Sequence, residues 1–171
     1  LDLLRHFEDP DPLGFKPFGS SAERLSVCLL SQALPWKNPG GIATYTWELA
    51  LGLSRLGCRV HVVSADAGAP AERREGVWLH KPPEAILPPG TAIEAGLAVT
   101  AKNLSYSWAA HQAVDSIDAR YGIDVVESPN WDAEGLVTAL DARLPVVMRA
   151  HSPLFEVAQT QGWTIDQDLR T

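Results

Sequence analysis

Apolar and polar residues fall along positions 25–64 in blocks that predict a strand, a loop, a helix and a second strand. The run 25–30 is rich in Leu and Val and gives way to a stretch punctuated by Pro35, Pro39, Gly40 and Gly41, the pattern of a buried strand entering a turn. From Ile42 the apolar positions Tyr45, Leu49, Leu53 and Leu56 form a helical stripe, and Gly57 stands where a helix stop favours the left-handed conformation. The apolar run 60–63 follows at once. Such a unit closes with a right-handed crossover, so both strands run parallel in one sheet with the helix across a face. Its connecting loop, 31–41, exceeds the roughly 2 to 6 residues usual for such units, which draws attention to Gly40 and Gly41.

The same rhythm continues downstream. Residues 66–76 read as a polar loop with Arg73 and Arg74 in solvent, and 77–80 as a short strand. Pro82, Pro83, Pro88 and Pro89 mark an irregular connection. Thr91 and Glu94 fit a capping box, opening a helical region with Ile93, Leu97, Leu104, Trp108, Val114 and Ile117 on its apolar face and a bend near 100–103. Tyr106 and His111 read there as packing or surface residues. Then follow a strand over 123–128, a helix over 132–143, a strand over 146–150 and a helix from about Leu154. Repeated βα units predict an α/β fold, a Rossmann-like doubly wound parallel sheet. Residues 1–23, with Asp9-Pro10-Asp11-Pro12, Gly14 and Pro17, read as a leader outside a single domain over 24–171.

Composition narrows the function classes. A chain of 171 residues that is 46% hydrophobic suffices for one full core. The formal charge of −7, without a Lys/Arg cluster, counts against nucleic acid or an anionic membrane as partner. Cys28 and Cys58 are isolated, without CxxC or His spacing, which predicts reduced thiols, no structural metal and a cytoplasmic setting. No apolar run approaches the ~18 residues of a membrane span.

Parallel sheets bind ligands at their carboxyl edge, and the alternation brings three turns there: Gly40-Gly41, Pro129-Asn130 and His151-Ser152. Helix amides at the first can hold an anion. Glu127, Asn130 and His151 stand at or just past strand ends and make a polar cluster with the glycine loop. Each has a structural alternative: Glu127 as a cap of a neighbouring helix, Asn130 as an Asx turn, His151 as an N-cap. The dinucleotide fingerprint G-x-G-x-x-G fails because the glycines are adjacent, although Asp66 stands where a ribose-binding acid would. Neither G-x-S-x-G nor G-x-x-x-x-G-K-[ST] occurs.

The run Asn38-Pro39-Gly40-Gly41-Ile42-Ala43-Thr44-Tyr45, the following amphipathic stretch, Gly57 and Arg59-Val60-His61-Val62-Val63-Ser64 resemble the start of family 4 (group 1) retaining glycosyltransferases. Asp124-Val125-Val126-Glu127-Ser128-Pro129-Asn130 and Pro145-Val146-Val147-Met148-Arg149-Ala150-His151 are similar, in order and spacing, to the fourth and fifth strands of that family's amino-terminal domain. The resemblance covers 25–157 and implies the amino-terminal, acceptor-side half of a GT-B fold. The implied activity is hexosyl transfer from a nucleotide-sugar to a hydroxyl acceptor, with no separate cofactor or metal and with peripheral membrane attachment open to a full-length enzyme. It implies His151 as the catalytic contact to the donor sugar; Gly40, Gly41, Glu127 and Asn130, from their place at the same sheet edge, are the candidate substrate-binding residues. The E-x7-E pattern of the carboxyl-terminal donor domain does not follow His151, so the chain alone is expected to be inactive. A stand-alone Rossmann-like module binding a nucleotide or small molecule is the competing reading.

Overall fold

The computed structural model describes residues 24–164, apart from 69, 70, 88–90 and 95; the expected leader over 1–23 lies outside them. The elements run β1 (Ser26–Leu30), α1 (Gly41–Arg55), β2 (Arg59–Val63), β3 (Ala71–Arg74), β4 (Val77–His80), α2 (Ala98–Tyr121), β5 (Val125–Pro129), α3 (Leu136–Asp141), β6 (Val146–Arg149) and α4 (Leu154–Gln161). The sheet order is β3-β4-β2-β1-β5-β6, and every pairing is parallel except β3 with β4. All five residues of β1 are buried, as a central strand covered on both faces requires.

Successive strand residues point to opposite faces, so the sheet divides its apolar side chains between two layers. Val27, Leu29, Val60, Val62 and Leu79 pack with Trp47, Ala50 and Leu51 of α1. Cys28, Leu30, Val63 and Val126 pack with Tyr106, Ala110, Val114 and Ile117 of α2. The doubly wound Rossmann-like arrangement is therefore present. Both cysteines are free thiols, and burial pushes the Cys28 thiol up to about 12, leaving it an inert core residue. On the α2 face, His61 Nδ1 lies 2.9 Å from His80 Nε2, a bond that needs one ring to donate and the other to accept. Burial first, then His80 and Arg59, push His61 down to about 4; burial lowers His80 too.

Five local expectations are corrected. The polar stretch 66–76 contains β3, joined to β4 by Glu75 and Gly76, both at positive φ of 49° and 90°, the geometry of a tight hairpin turn. Arg73 and Arg74 are exposed but not merely solvated: their guanidinium carbons lie 5.5 Å from the Trp78 ring centre and 3.9 Å from that of Trp36. The capping box at Thr91 and Glu94 does not open a helix; α2 begins at Ala98 and runs without a break to Tyr121. The helix expected from Asp132 starts only at Leu136, because Asp132 and Ala133 both hold positive φ, 56° and 51°. The buried face of α1 is Ala43, Thr46, Trp47, Ala50 and Leu51, leaving Tyr45 and Leu56 exposed.

The strand expected over 146–150 is β6, only partly buried. β6 is an edge strand on which Val147 and Met148 are exposed, so His151 leaves the sheet from its rim. Among the described residues no helix is long and apolar enough to cross a membrane.

Candidate functional site

The β1–α1 loop is held from outside. The Asp66 carboxylate accepts from the Leu34 amide at 3.0 Å and from Asn38 Nδ2 at 2.8 and 3.0 Å. Trp36 stacks edge-on against Trp47, with ring centres 4.8 Å apart. Asp66 is thus bonded to its own loop, and the nucleotide role its position suggested has no support here. The loop delivers Gly40 and Gly41 to the start of α1. Gly40 is extended, at φ −172° and ψ 162°, and a Cβ added to either glycine would meet nothing within 4 Å. The backbone therefore does not demand glycine at these two positions. What glycine provides is open space over the first amides of a 15-residue helix, where an anion is favoured.

One turn along α1, Tyr45 and Thr46 face Arg149, the last residue of β6. Its guanidinium carbon lies 4.2 Å from the Tyr45 ring centre, Nη2 donates to Thr46 Oγ1 at 3.0 Å, and Nη1 stands 2.9 Å from Glu127 Oε1. The last contact is an ion pair without aligned hydrogen-bond geometry. Nε donates to His151 Nε2 at 2.8 Å. His151 is further held by its own amide, which donates to Asn130 Oδ1 at 2.9 Å, and by the Tyr45 ring, edge-on with centres 6.2 Å apart. Trp131 Nε1 donates to the Ser152 carbonyl at 2.9 Å, so the ends of β5 and β6 are clasped twice.

The sequence-derived residues are therefore gathered, but not equally. Asn130 and His151 lie together at the rim, and Gly40–Gly41 stand one turn before their partner Tyr45. Glu127 is buried on the α1 face beside Arg149 instead of opening to the edge. Burial pushes its carboxyl up to about 7, with Arg149 pulling the other way. Arg149, Tyr45 and Thr46 were missed as site residues. The signal for Arg149 was present, because in an extended strand positions 149 and 151 share a face.

A second buried carboxyl, Glu134, sits in the β5–α3 connection. Burial pushes it up to about 8, against the Gln32 amide that bonds it, so it is mostly protonated at neutral pH. Next to it, Gly135 packs so closely on β5 that an added Cβ would stand 2.6 Å from Ser128 Cβ and Oγ. Among the described residues one group of side chains elsewhere has metal-like proximity: His111, Asp115 and Asp141, with ligand atoms within 4.8 Å of one another. Arg143 already bonds both carboxylates, to Asp115 at 2.7 Å and to Asp141 at 2.5 Å, so its guanidinium offsets part of the charge that a metal ion would meet there.

A comparison with curated proteins gives no match. Among solved structures, sucrose-phosphate synthase from Thermosynechococcus elongatus matches with a TM-score of 0.55 at 17% identity, over 84% of this chain and 36% of that one. The chain thus spans about a third of the length of that enzyme and shares the fold of a Rossmann-like half of a GT-B transferase. The family model of Glycosyltransferase Family 4 matches residues 39–170, which takes in Gly40–Gly41, Asn130 and His151. The chain belongs to Glycosyltransferase Family 4.

Proposed function

We propose that this chain forms the acceptor-side half of a cleft in which a hexosyl group passes from a nucleotide-sugar to a hydroxyl acceptor with retention of configuration. The observation that carries the reading is the convergence of open helix amides at Gly40–Gly41 and a fixed imidazole at His151 on one sheet edge. Each can donate toward charge: the amides to a phosphate or acceptor oxygen, the imidazole to a sugar hydroxyl as the bond to the leaving diphosphate lengthens. Glu127 supports the edge from below through Arg149, and Asn130 fixes the His151 backbone. No resident cofactor or metal is needed for this chemistry, since the departing diphosphate itself can take the acceptor proton. Transfer requires donor and acceptor in near-attack geometry, so the chain by itself binds acceptor weakly and turns nothing over.

The test is Gly41→Val. Because a Cβ there meets nothing and φ is not in the left-handed region, the fold is expected to tolerate it with a melting shift within about 2 °C, a few tenths of a kcal/mol for a β-branched residue in a helix. In an enzyme carrying both halves of the cleft, transfer is expected to be lost. Persisting transfer would make the glycines turn formers only. Saturable binding of a free nucleotide by the chain alone, unaffected by Gly41→Val, would favour the stand-alone binding module.

A further inference from the structure

We infer that Arg149 is a positioning residue for His151: by donating Nε–H to His151 Nε2 it holds the imidazole neutral as the Nδ1–H tautomer, so that Nδ1 is the atom His151 offers to a ligand. This deepens the proposal that His151 meets the substrate.

The argument begins with the chemistry of the donor. A guanidinium carries five N–H groups, has no acceptor and is not deprotonated in proteins. The ring nitrogen 2.8 Å from Arg149 Nε must therefore present its lone pair, and a neutral imidazole with an unprotonated Nε2 carries its hydrogen on Nδ1. Arg149 cannot turn away easily. Its side chain is 11% exposed and is held by Glu127 Oε1 from β5, by Thr46 Oγ1 and the Tyr45 face from α1, and by the strand it ends. His151 is fixed independently, through its amide on Asn130. The groups facing the imidazole are thus Arg149 from β6, Tyr45 from α1 and the Asn130 amide side chain past β5. Glu127 reaches it only through Arg149. With a fixed cation as its nearest charged neighbour, the ring resists a second proton, and both burial and Arg149 lower its pKa. Two consequences follow for the chemistry of the edge. Nε2 is engaged and cannot serve as a base, and Nδ1 is a donor of fixed direction.

The experiment is two-bond nitrogen–proton correlation on chain labelled with 15N-histidine, at neutral pH, with the His151 signals assigned by their loss in His151→Gln. The expected wild-type pattern is that of a neutral ring protonated at Nδ1. In Arg149→Met the ring is expected to revert mainly to the Nε2–H form preferred by unrestrained imidazole, and its titration midpoint to rise toward about 6.5. Should Arg149→Met unfold because Glu127 loses its counter-ion, the double variant Arg149→Met with Glu127→Gln carries the same test without a buried carboxylate. A wild-type ring protonated at Nε2, or an imidazolium at neutral pH, overturns the inference by itself. An Nδ1–H tautomer that persists in a folded Arg149 variant overturns it too. None of these readouts requires sugar transfer, so the tautomer and the transfer proposal fail separately.

Discussion

Replacing Glu127 by Leu leaves the Arg149 guanidinium beneath α1 without its carboxylate, and Arg149 has no protonation state in which the charge disappears. Removing one partner of a buried ion pair typically costs about 3–5 kcal/mol. Here Thr46 Oγ1, His151 Nε2 and the Tyr45 face remain as partners, so the expected loss is near the low end, about 3 kcal/mol. Arg149→Met is not the mirror image. The Glu127 carboxyl already titrates at about 7, so it escapes isolation by taking a proton, and the expected loss is only about 1–2 kcal/mol for the broken hydrogen bonds. The double variant removes both desolvated charges and is expected to lie within about 1 kcal/mol of the parent, giving a large coupling term. Thermal melts at pH 7 read this directly, at about 2–4 °C per kcal/mol for a chain of this size, so Glu127→Leu should melt about 6–12 °C low. Equal losses in the two single variants, or additive ones in the double, would refute the argument that an escapable carboxylate faces an inescapable cation.

Two further outcomes are expected. Gly135→Ala should lower stability by about 1–3 kcal/mol, because its Cβ would stand 2.6 Å from Ser128, and Ser128→Gly should restore part of the loss; an unchanged melting temperature would show that α3 shifts freely. His61 has its folded pKa depressed from 6.5 to about 4, so its contribution is complete above pH 6.5 and is lost as pH falls through that window. The ceiling is about 3 kcal/mol, and roughly half is expected after solvent relaxation. Glu127 and Glu134, with folded pKa values raised above 4.5, act in the opposite sense, losing stability as pH rises. His61→Leu should therefore flatten or reverse the slope of stability between pH 4 and 6.5, and an unchanged slope would refute the pairing argument.

The parallel strands were legible because β1, β2 and β5 are largely buried and each carries an apolar run or pair, 27–30, 62–63 and 125–126, next to a turn. The starts of α1 and α4 fall where expected, at Gly41 and Leu154, but those of α2 and α3 do not. Thr91 and Glu94 have the chemistry of a capping box, yet local propensity is weak against tertiary packing, and α2 begins only where Ala98 follows an irregular stretch. β3 was hidden because Ala71-Glu72-Arg73-Arg74 lies at a sheet edge, where charged residues are tolerated and no apolar alternation is needed. At the site, Asn130 and His151 could be found from their place after strands. Glu127 was misjudged in orientation, since a single carboxylate in the middle of β5 reads the same whether it opens to the edge or pairs beneath a helix. The pairing depends on Arg149, which only the three-dimensional crossing of α1, β5 and β6 brings to it.

The central claim is that His151 donates a hydrogen bond to the sugar as it leaves the diphosphate, and His151→Ala in an enzyme carrying both halves of the cleft tests it most directly. Loss of one donor aimed at developing charge is worth about 2.7–4 kcal/mol, a fall of about 10²–10³ in the rate of transfer. The half-buried rim position of His151 predicts that the same variant keeps its fold, which a thermal melt would establish alongside. A folded His151→Ala enzyme that transfers sugar within a few-fold of the parent rate would contradict the account, leaving His151 as a structural residue that ties the β6 end to Asn130 and Arg149.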